Sequence, residues 1–170
     1  MNRDKQKQLV DLLGQLKPGY LPLDIFIQIA RLAALSIVEF VPLRTKNGKL
    51  EVLLLARGSD DAIWPGELHT PGTVIRPTDT QESMSEVFDR ILKDELGGTQ
   101  TSEPHYVGSL LHKSRRGTEH AQIYWVEVLD EPKAGKFYQL DNLPATLIES
   151  QVSFINEAAN DFITRQKKAF

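Results

Sequence analysis

One stretch constrains this chain more than any other. SIVEFVPLRTKNGKLEVLLLAR, residues 36–57, holds two apolar runs joined by Lys46-Asn47-Gly48-Lys49. An Asn-Gly pair between such runs is the strongest short-range hairpin signal, because both central residues of the tight turn need positive φ. An antiparallel strand pair is therefore expected, with the second strand ending at Arg57.

The rest of the chain is read outward from that hairpin. Residues 4–17 carry Leu9, Val10, Leu12, Leu13 and Leu16 at helical spacing, and Pro18-Gly19 ends the segment. A second helix starts at Pro22 and runs through DIFIQIARLA. After the hairpin, residues 58–70 read as a loop, TPGTVI as a short strand, RPTDT as a turn, and residues 82–98 as a helix closed by Gly97-Gly98. HYVGSLLHK and HAQIYWVEVL are two strands joined by the turn SRRGTE. Residues 130–142 read as a loop, and LPATLIESQVSFINEAANDFITRQ as a closing helix. There is no internal repeat, low-complexity stretch or linker. Strands and helices mix without a βαβ rhythm, so an α+β or mixed-sheet sandwich is expected.

Composition excludes several functions. The 170 residues suffice for one domain with a core, and 41% apolar with 25% charged residues is globular composition. A formal charge of -3 argues against a nucleic-acid surface, and the RQKK run at 165–168 reads as a solvated helix end. With no cysteine, disulfides, thiolate zinc sites and cysteine nucleophiles are excluded. The opening MNRDKQKQLVDLLGQLKPG is too polar for a signal peptide, and no apolar run reaches the roughly 18 residues of a membrane span. A cytoplasmic protein with no membrane partner is expected.

Within ESMSEVFDRILKDELGG, residues 82–98, one acid is out of place. At about 100° per residue from Glu86, Met84, Val87, Phe88, Ile91 and Leu92 form one apolar stripe, and Glu95 falls in its middle. A carboxylate at such a place is costly unless it has a partner, and magnesium is one. Asp94 borders the stripe, and a carbonyl from the TPGTV loop could add a further oxygen. The bland alternative is that Glu95 reaches round to water from the last turn, beside a solvated Glu86-Arg90-Asp94 ladder.

TPGTVIRPTDTQESMSEVFDRILKDELGG, residues 70–98, resembles the Nudix box, G-x5-E-x7-R-E-U-x-E-E-x-G-U with U aliphatic. Glu82, Arg90, Leu92, Asp94, Glu95 and Gly97 fall on its acid, arginine, aliphatic, two late acids and glycine. Ile91 stands where a glutamate is expected, Gly72-Thr73 replaces a glycine doublet, and the loop to Glu82 is about three residues longer than the pattern. The resemblance spans roughly residues 20–166. It implies a Nudix-like α/β/α sandwich over residues 20–170, with residues 1–19 as an N-terminal helical extension. GDP-mannose mannosyl hydrolases are similar in having an aliphatic residue after the box arginine and keeping the last glutamate. They use one magnesium and break the sugar carbon–oxygen bond with a late-loop histidine as base. KAGKFYQLDNLP, the corresponding region, has no histidine.

The resemblance implies a hydrolase of a nucleoside diphosphate linked to another group, such as a nucleotide sugar, of pyrophosphatase or glycosyl hydrolase type, with Mg2+ or Mn2+. Glu95 would be the principal metal ligand, Asp94 a second or water-mediated one, and the carbonyl of Gly72 or Thr73 another. Arg90 would pair with Glu82 or Asp94 and hold helix to loop, and Arg57 would face the phosphates. His69 points into the cleft or into the core. Arg115 and Arg116 contact phosphate or serve solubility. His120, Glu119 and Asp141 are the candidate bases, which sequence does not rank. Trp64 and Tyr124 stack a base or fill the core. The expected partner is a small-molecule nucleotide, with no nucleic acid. Many relatives are dimers, so a homodimer is allowed, with the 4–17 helix as one contact. The rival reading is a Nudix-fold binding or regulatory module without catalysis.

Overall fold

Asn47 (φ 53°) and Gly48 (φ 74°) take the positive backbone angles the tight turn requires. They join β1 (Leu35–Lys46) to β2 (Lys49–Ala56), as expected. These are features of a computed structural model that describes residues 1–79 and 84–168. Among those residues the strands form one seven-stranded mixed sheet with the order β3-β2-β1-β6-β5. Here β3 is Leu68–His69, β5 is His105–Lys113 and β6 is Thr118–Glu127. β1 runs parallel to β6, from Leu35 opposite Glu119 to Leu43 opposite Glu127, while the other pairings are antiparallel.

The other edge of β1 serves two partners in turn. Ile37 to Glu39 face β4 (Gly72–Val74), and Leu43 to Lys46 face β2. The sheet therefore splays between β4 and β2, and a cleft opens there.

Both sheet faces are covered, because β1 is apolar on both sides and must be buried on both. Leu35, Ile37, Val41 and Leu43 meet Phe154, Ile155, Ala158 and Phe162 of α4 (Glu149–Lys168). Trp125 Nε1 donates to Asp161 Oδ2 of α4 at 2.8 Å, and Phe26 of α2 (Leu23–Leu32) packs against the same cluster. On the opposite face Val38, Phe40 and Val126 meet Val87 and Ile91 of the helix that begins at Ser85. The α/β/α sandwich with a mixed sheet is thus present, and no helix of the described residues is long and apolar enough to cross a membrane.

Several boundaries differ from the expectation. The first helix, α1 (Arg3–Leu13), stops four residues short, where Gly14 caps it and the Lys17-Pro18 pair ahead disfavours helix. None of its side chains is buried, so Leu9, Val10, Leu12 and Leu13 are not core residues in this chain. The segment 58–70 contains β3. The segment 130–142, read as a loop, contains β7 (Lys136–Gln139), which pairs with β2, and a 3-10 turn, Leu140–Asn142. Four half-exposed residues are too short a run to show an alternation; Arg44 lying over the Phe137 ring at 3.5 Å helps to hold them.

The helix with the misplaced acid differs most. α3 is regular only over Ser85–Arg90, and Ile91–Glu95 form a π turn closed by Leu96 N–H donating to Ile91 O at 3.1 Å. A π turn advances five residues per hydrogen bond instead of four. The core position one turn beyond Ile91 therefore shifts from residue 95 to Leu96, which is fully buried. Glu95 is turned out of the stripe to its edge.

The β5–β6 hairpin also fixes α2. Gly117 (φ 153°) lies so close to the α2 backbone that a Cβ there would come within 2.1 Å of the Ala30 carbonyl oxygen. Gly117→Ala must push hairpin and helix apart, and should cost roughly 2–3 kcal/mol, read as a lower urea midpoint at unchanged slope. A midpoint equal to that of the parent would mean that this contact does not hold α2.

Candidate functional site

The cleft at the splay has a volume of about 590 Å³. Its floor is Glu39, in the centre of β1 and only 7% exposed. Glu39 faces Gly72 across the β1–β4 pairing, and its carboxylate leans over that glycine. A Cβ on Gly72 would come within 2.5 Å of Glu39 Oε2, so glycine is needed here for close approach, not for an unusual φ.

Glu39 was not among the sequence-derived candidates. The signal was one acid in the middle of an apolar strand, flanked by Val38 and Phe40. Its burial and its hydrogen-bond partners both favour the protonated form. Gln151 Oε1 accepts from the Thr70 backbone N–H at 3.2 Å, so that atom is an acceptor, and it also contacts Thr70 Oγ1. Thr70 Oγ1 lies 2.9 Å from Glu39 Oε2. The single hydroxyl proton cannot serve two acceptors. A proton on Glu39 donated to Thr70 Oγ1, with that hydroxyl donating on to Gln151, satisfies all three groups. Burial pushes the Glu39 carboxyl up to about 8, and Glu119 adds to the rise, against the opposing pull of Arg116 and Arg57.

Two arginines share a wall of the cleft. Arg57, just past β2, lies over the Trp64 ring at 5.7 Å, has Asp61 at 3.8 Å, and buries an Nε with no hydrogen-bond partner among the described residues. Arg116 lies over the same ring at 5.1 Å and over Phe26 at 5.8 Å. Its Nε donates to Glu119 Oε1 at 2.7 Å, and Glu119 is 3% exposed. His112 Nε2 lies 3.4 Å from the other oxygen of Glu119, and burial holds that histidine's pKa below its ordinary value. Arg116 is thus a held cleft cation and not a solvated turn residue, whereas Arg115 ion-pairs with Glu67. Burial alone would raise Asp61, but the N–H groups of Trp64 and Ile63 and the charge of Arg57 outweigh it and keep its carboxyl low.

Glu95 opens onto this cleft, as do Gly72 and Thr73. Burial raises its pKa, Arg57 opposes the rise, and Asp94 adds to it. Phe40 N–H donates to Pro71 O, and Ile75 N–H to Ser36 O. Antiparallel alternation between these two bonds turns the Thr73 carbonyl toward Val38 and the Gly72 carbonyl away from β1. Of the two expected carbonyl ligands, Gly72 is therefore the one not committed to β1.

Arg90 has a partner that the sequence reading did not name. It pairs with Asp79 through both guanidinium ends and donates to Val74 O at 3.1 Å, so it does tie helix to loop. The hydrogen bond between the two side chains raises Arg90 and lowers Asp79, in each case against the opposing effect of burial. Glu82 lies outside the described residues.

All the remaining candidates but Trp64 lie away from the cleft lining. Asp94 is exposed on the outer side of the π turn, and His120 is exposed on β6. Glu119 is committed to Arg116, and Asp141 faces Lys49 at 3.7 Å. His69 is 4% exposed, with Nδ1 2.7 Å from the Thr70 carbonyl; burial and Arg57 lower its pKa to about 4, so it is neutral and donates there. Trp64 is 6% exposed beneath the two arginines, and Tyr124 packs with Phe40, Phe88 and Tyr106, so neither ring is open to a base. Among the described residues, no three or more histidines, aspartates or glutamates form a group that could hold a metal.

The fold is that of Nudix domains. The Nudix domain of NrtR from Shewanella oneidensis, solved with ADP-ribose, aligns with a TM-score of 0.56 at 19% identity, over 95% of this chain and 99% of that one. A mutT/nudix family protein from Listeria innocua gives 0.58 at 18%, over 80% and 98%. The Ap4A hydrolase of C. elegans gives 0.57 at 15%, over 77% and 99%. At these identities the likeness establishes the fold. No protein-family model matches the sequence, and no curated protein matches it either.

The proton on Glu39 has a measurable consequence. Its folded value of about 8 exceeds the ordinary 4.5, so the folded state keeps a proton that the unfolded state has lost. Stability should fall as pH rises from 4.5 toward 8, and level off above. Glu39→Gln keeps a neutral donor to Thr70 and removes that slope. Measured in EDTA, the variant should gain on the parent across this window, by a few kcal/mol in order of magnitude at its upper end. Parallel stability curves would show that Glu39 carries no such proton.

Proposed function

We propose that the chain is a Nudix-type hydrolase of a nucleoside diphosphate linked to another group, dependent on Mg2+ or Mn2+. The observation that carries this reading is the π turn, which delivers Glu95 to the cleft that Gly72, Arg57 and Arg116 also line. Ile91, in the place of the usual box glutamate, is fully buried core, which supports a reduced metal site similar to that of the GDP-mannose mannosyl hydrolases; a nucleotide sugar is one candidate substrate.

The donor set suits a hard cation. Magnesium takes few protein oxygens and leaves the rest to phosphate and water. Glu95 and the Gly72 carbonyl are such oxygens, and exposed Asp94 would act only through water. Bound there, the cation would neutralise the diphosphate and stabilise the leaving group. Arg57 would orient phosphate from the cleft wall, and Arg116, locked by Glu119, would hold a second anionic oxygen. Arg90 positions the loop behind Gly72. His69 and His120 are left out of the proposed ligand-binding set.

A second reading has its own support. Among the described residues no three acids are grouped so that they could hold a metal, and the NrtR Nudix domain was solved with ADP-ribose while NrtR itself was solved with a 27mer DNA. On this reading the cleft binds a nucleotide without turnover.

A screen of nucleotide sugars, ADP-ribose and dinucleoside polyphosphates with magnesium and manganese separates the two. Turnover is expected, and Glu95→Gln should reduce it by a factor on the order of 100 or more, since even outer residues of metal sites cost about 10–100-fold. Binding without turnover would remove the hydrolase reading. Turnover unchanged in a folded Glu95→Gln variant would remove the metal assignment.

A further inference from the structure

The cleft has a wall that the chemistry above does not use. Between α1 and α2 the chain passes along the cleft mouth, and Gly19, Tyr20, Leu21 and Leu23 line it. This arm is anchored at both ends. Gly19 (φ 114°) turns the chain against the loop after β4, where a Cβ would lie 3.5 Å from Thr78 Cγ2. Phe26, in the first turn of α2, packs on the α4-side core, and Arg116 lies over its ring at 5.8 Å. Between those anchors Tyr20 is 87% exposed and Leu23 50% exposed. An anchored backbone thus holds an uncovered ring and an uncovered leucine at the mouth of a cleft whose inner wall carries two arginines.

Among cleft-lining aromatic rings, Trp64 is buried under guanidinium groups and Phe26 is packed into the core, which leaves Tyr20 as the open one. Stacking suits an exposed ring, since every nucleobase presents a π face. The volume of about 590 Å³ lies within the range of small-molecule sites.

We infer that the N-terminal arm forms the base subsite of the cleft, with Tyr20 stacking on the nucleobase and Leu23 beside it, while Arg57 and Arg116 take the phosphates. The inference rests on the nucleotide-binding reading above and extends it to which residues distinguish a nucleoside diphosphate from a bare diphosphate. Base selectivity then comes from the rim and not from the sheet.

The test is equilibrium binding of ADP-ribose, GDP-mannose and UDP-glucose, with inorganic pyrophosphate as the base-free probe, to the parent, Tyr20→Ala and Tyr20→Phe. Base stacking is worth about 1–3 kcal/mol, which converts to roughly 5- to 150-fold in affinity. Tyr20→Ala should weaken the bound nucleotides by such a factor and leave pyrophosphate unchanged, and Tyr20→Phe should stay within about twofold of the parent. Equal loss for nucleotide and pyrophosphate, or no loss for nucleotide, overturns the subsite. A parent that binds pyrophosphate as tightly as every nucleotide also overturns it and leaves the anion site standing. A parent that binds none of the probes overturns the nucleotide reading itself, and the subsite with it.

Discussion

The architecture depends on one strand having two neighbours on a single edge. β1 is paired with β6 from Leu35 to Leu43 on one side, while its other side passes from β4 to β2 between Phe40 and Leu43. Where the partners change, the sheet opens, and a central strand delivers a side chain to a cleft in place of the core. Glu39 is that side chain. Its fit requires Gly72 opposite, and Gly72 in turn fixes where β4 and its following loop lie. Arg90 grips that loop through Val74 O and Asp79, which locates the helix carrying Glu95. A substitution at Gly72 would thus disturb floor, loop and helix together.

Helical periodicity located Glu95 as an anomaly and misjudged its cause. A wheel at constant rotation put the acid in the core, whereas the π turn hands that place to Leu96. The wider turn lets one helix bury Ile91 and Leu96 and still offer a carboxylate to the cleft. No local rule marks such a turn in the sequence; it follows from tertiary packing on Phe40 and Val38.

What was legible was whatever local chemistry dictates. Asn47-Gly48 demanded its hairpin, the β5–β6 pair followed from its apolar runs and Gly117 turn, and α4 from its period. The elements missed, β3 and β7, are two and four residues long and exist by pairing with β2. The site divides in the same way. Arg57 and Glu95 were legible from position and pattern. Arg116 was ambiguous, because its partner Glu119 and the ring of Trp64 are brought to it by folding. Asp79, the partner of Arg90, lay in a turn that no spacing rule connects to the helix.

The protonation of Glu39 bears on what the cleft can hold. Arg57, Arg76 and Arg116 line it, and so do Asp60, Asp61 and Glu95, with Glu39 at the floor. With Glu39 neutral, three arginines meet three carboxylates, and the lining brings no net charge to a diphosphate. With Glu39 ionised, the lining would repel one. A neutral floor is therefore a minimum condition for admitting an anion, and it leaves the ligand's own charge to be met by something further. The proposed divalent cation at Glu95 and Gly72 would supply such a charge on the side of the cleft where Arg57 already opposes the rise in the Glu95 pKa. The same count explains why a rim of Tyr20 and Leu23 suits the outer half: a lining with balanced charge can select among nucleotides only through the part of the ligand that carries none.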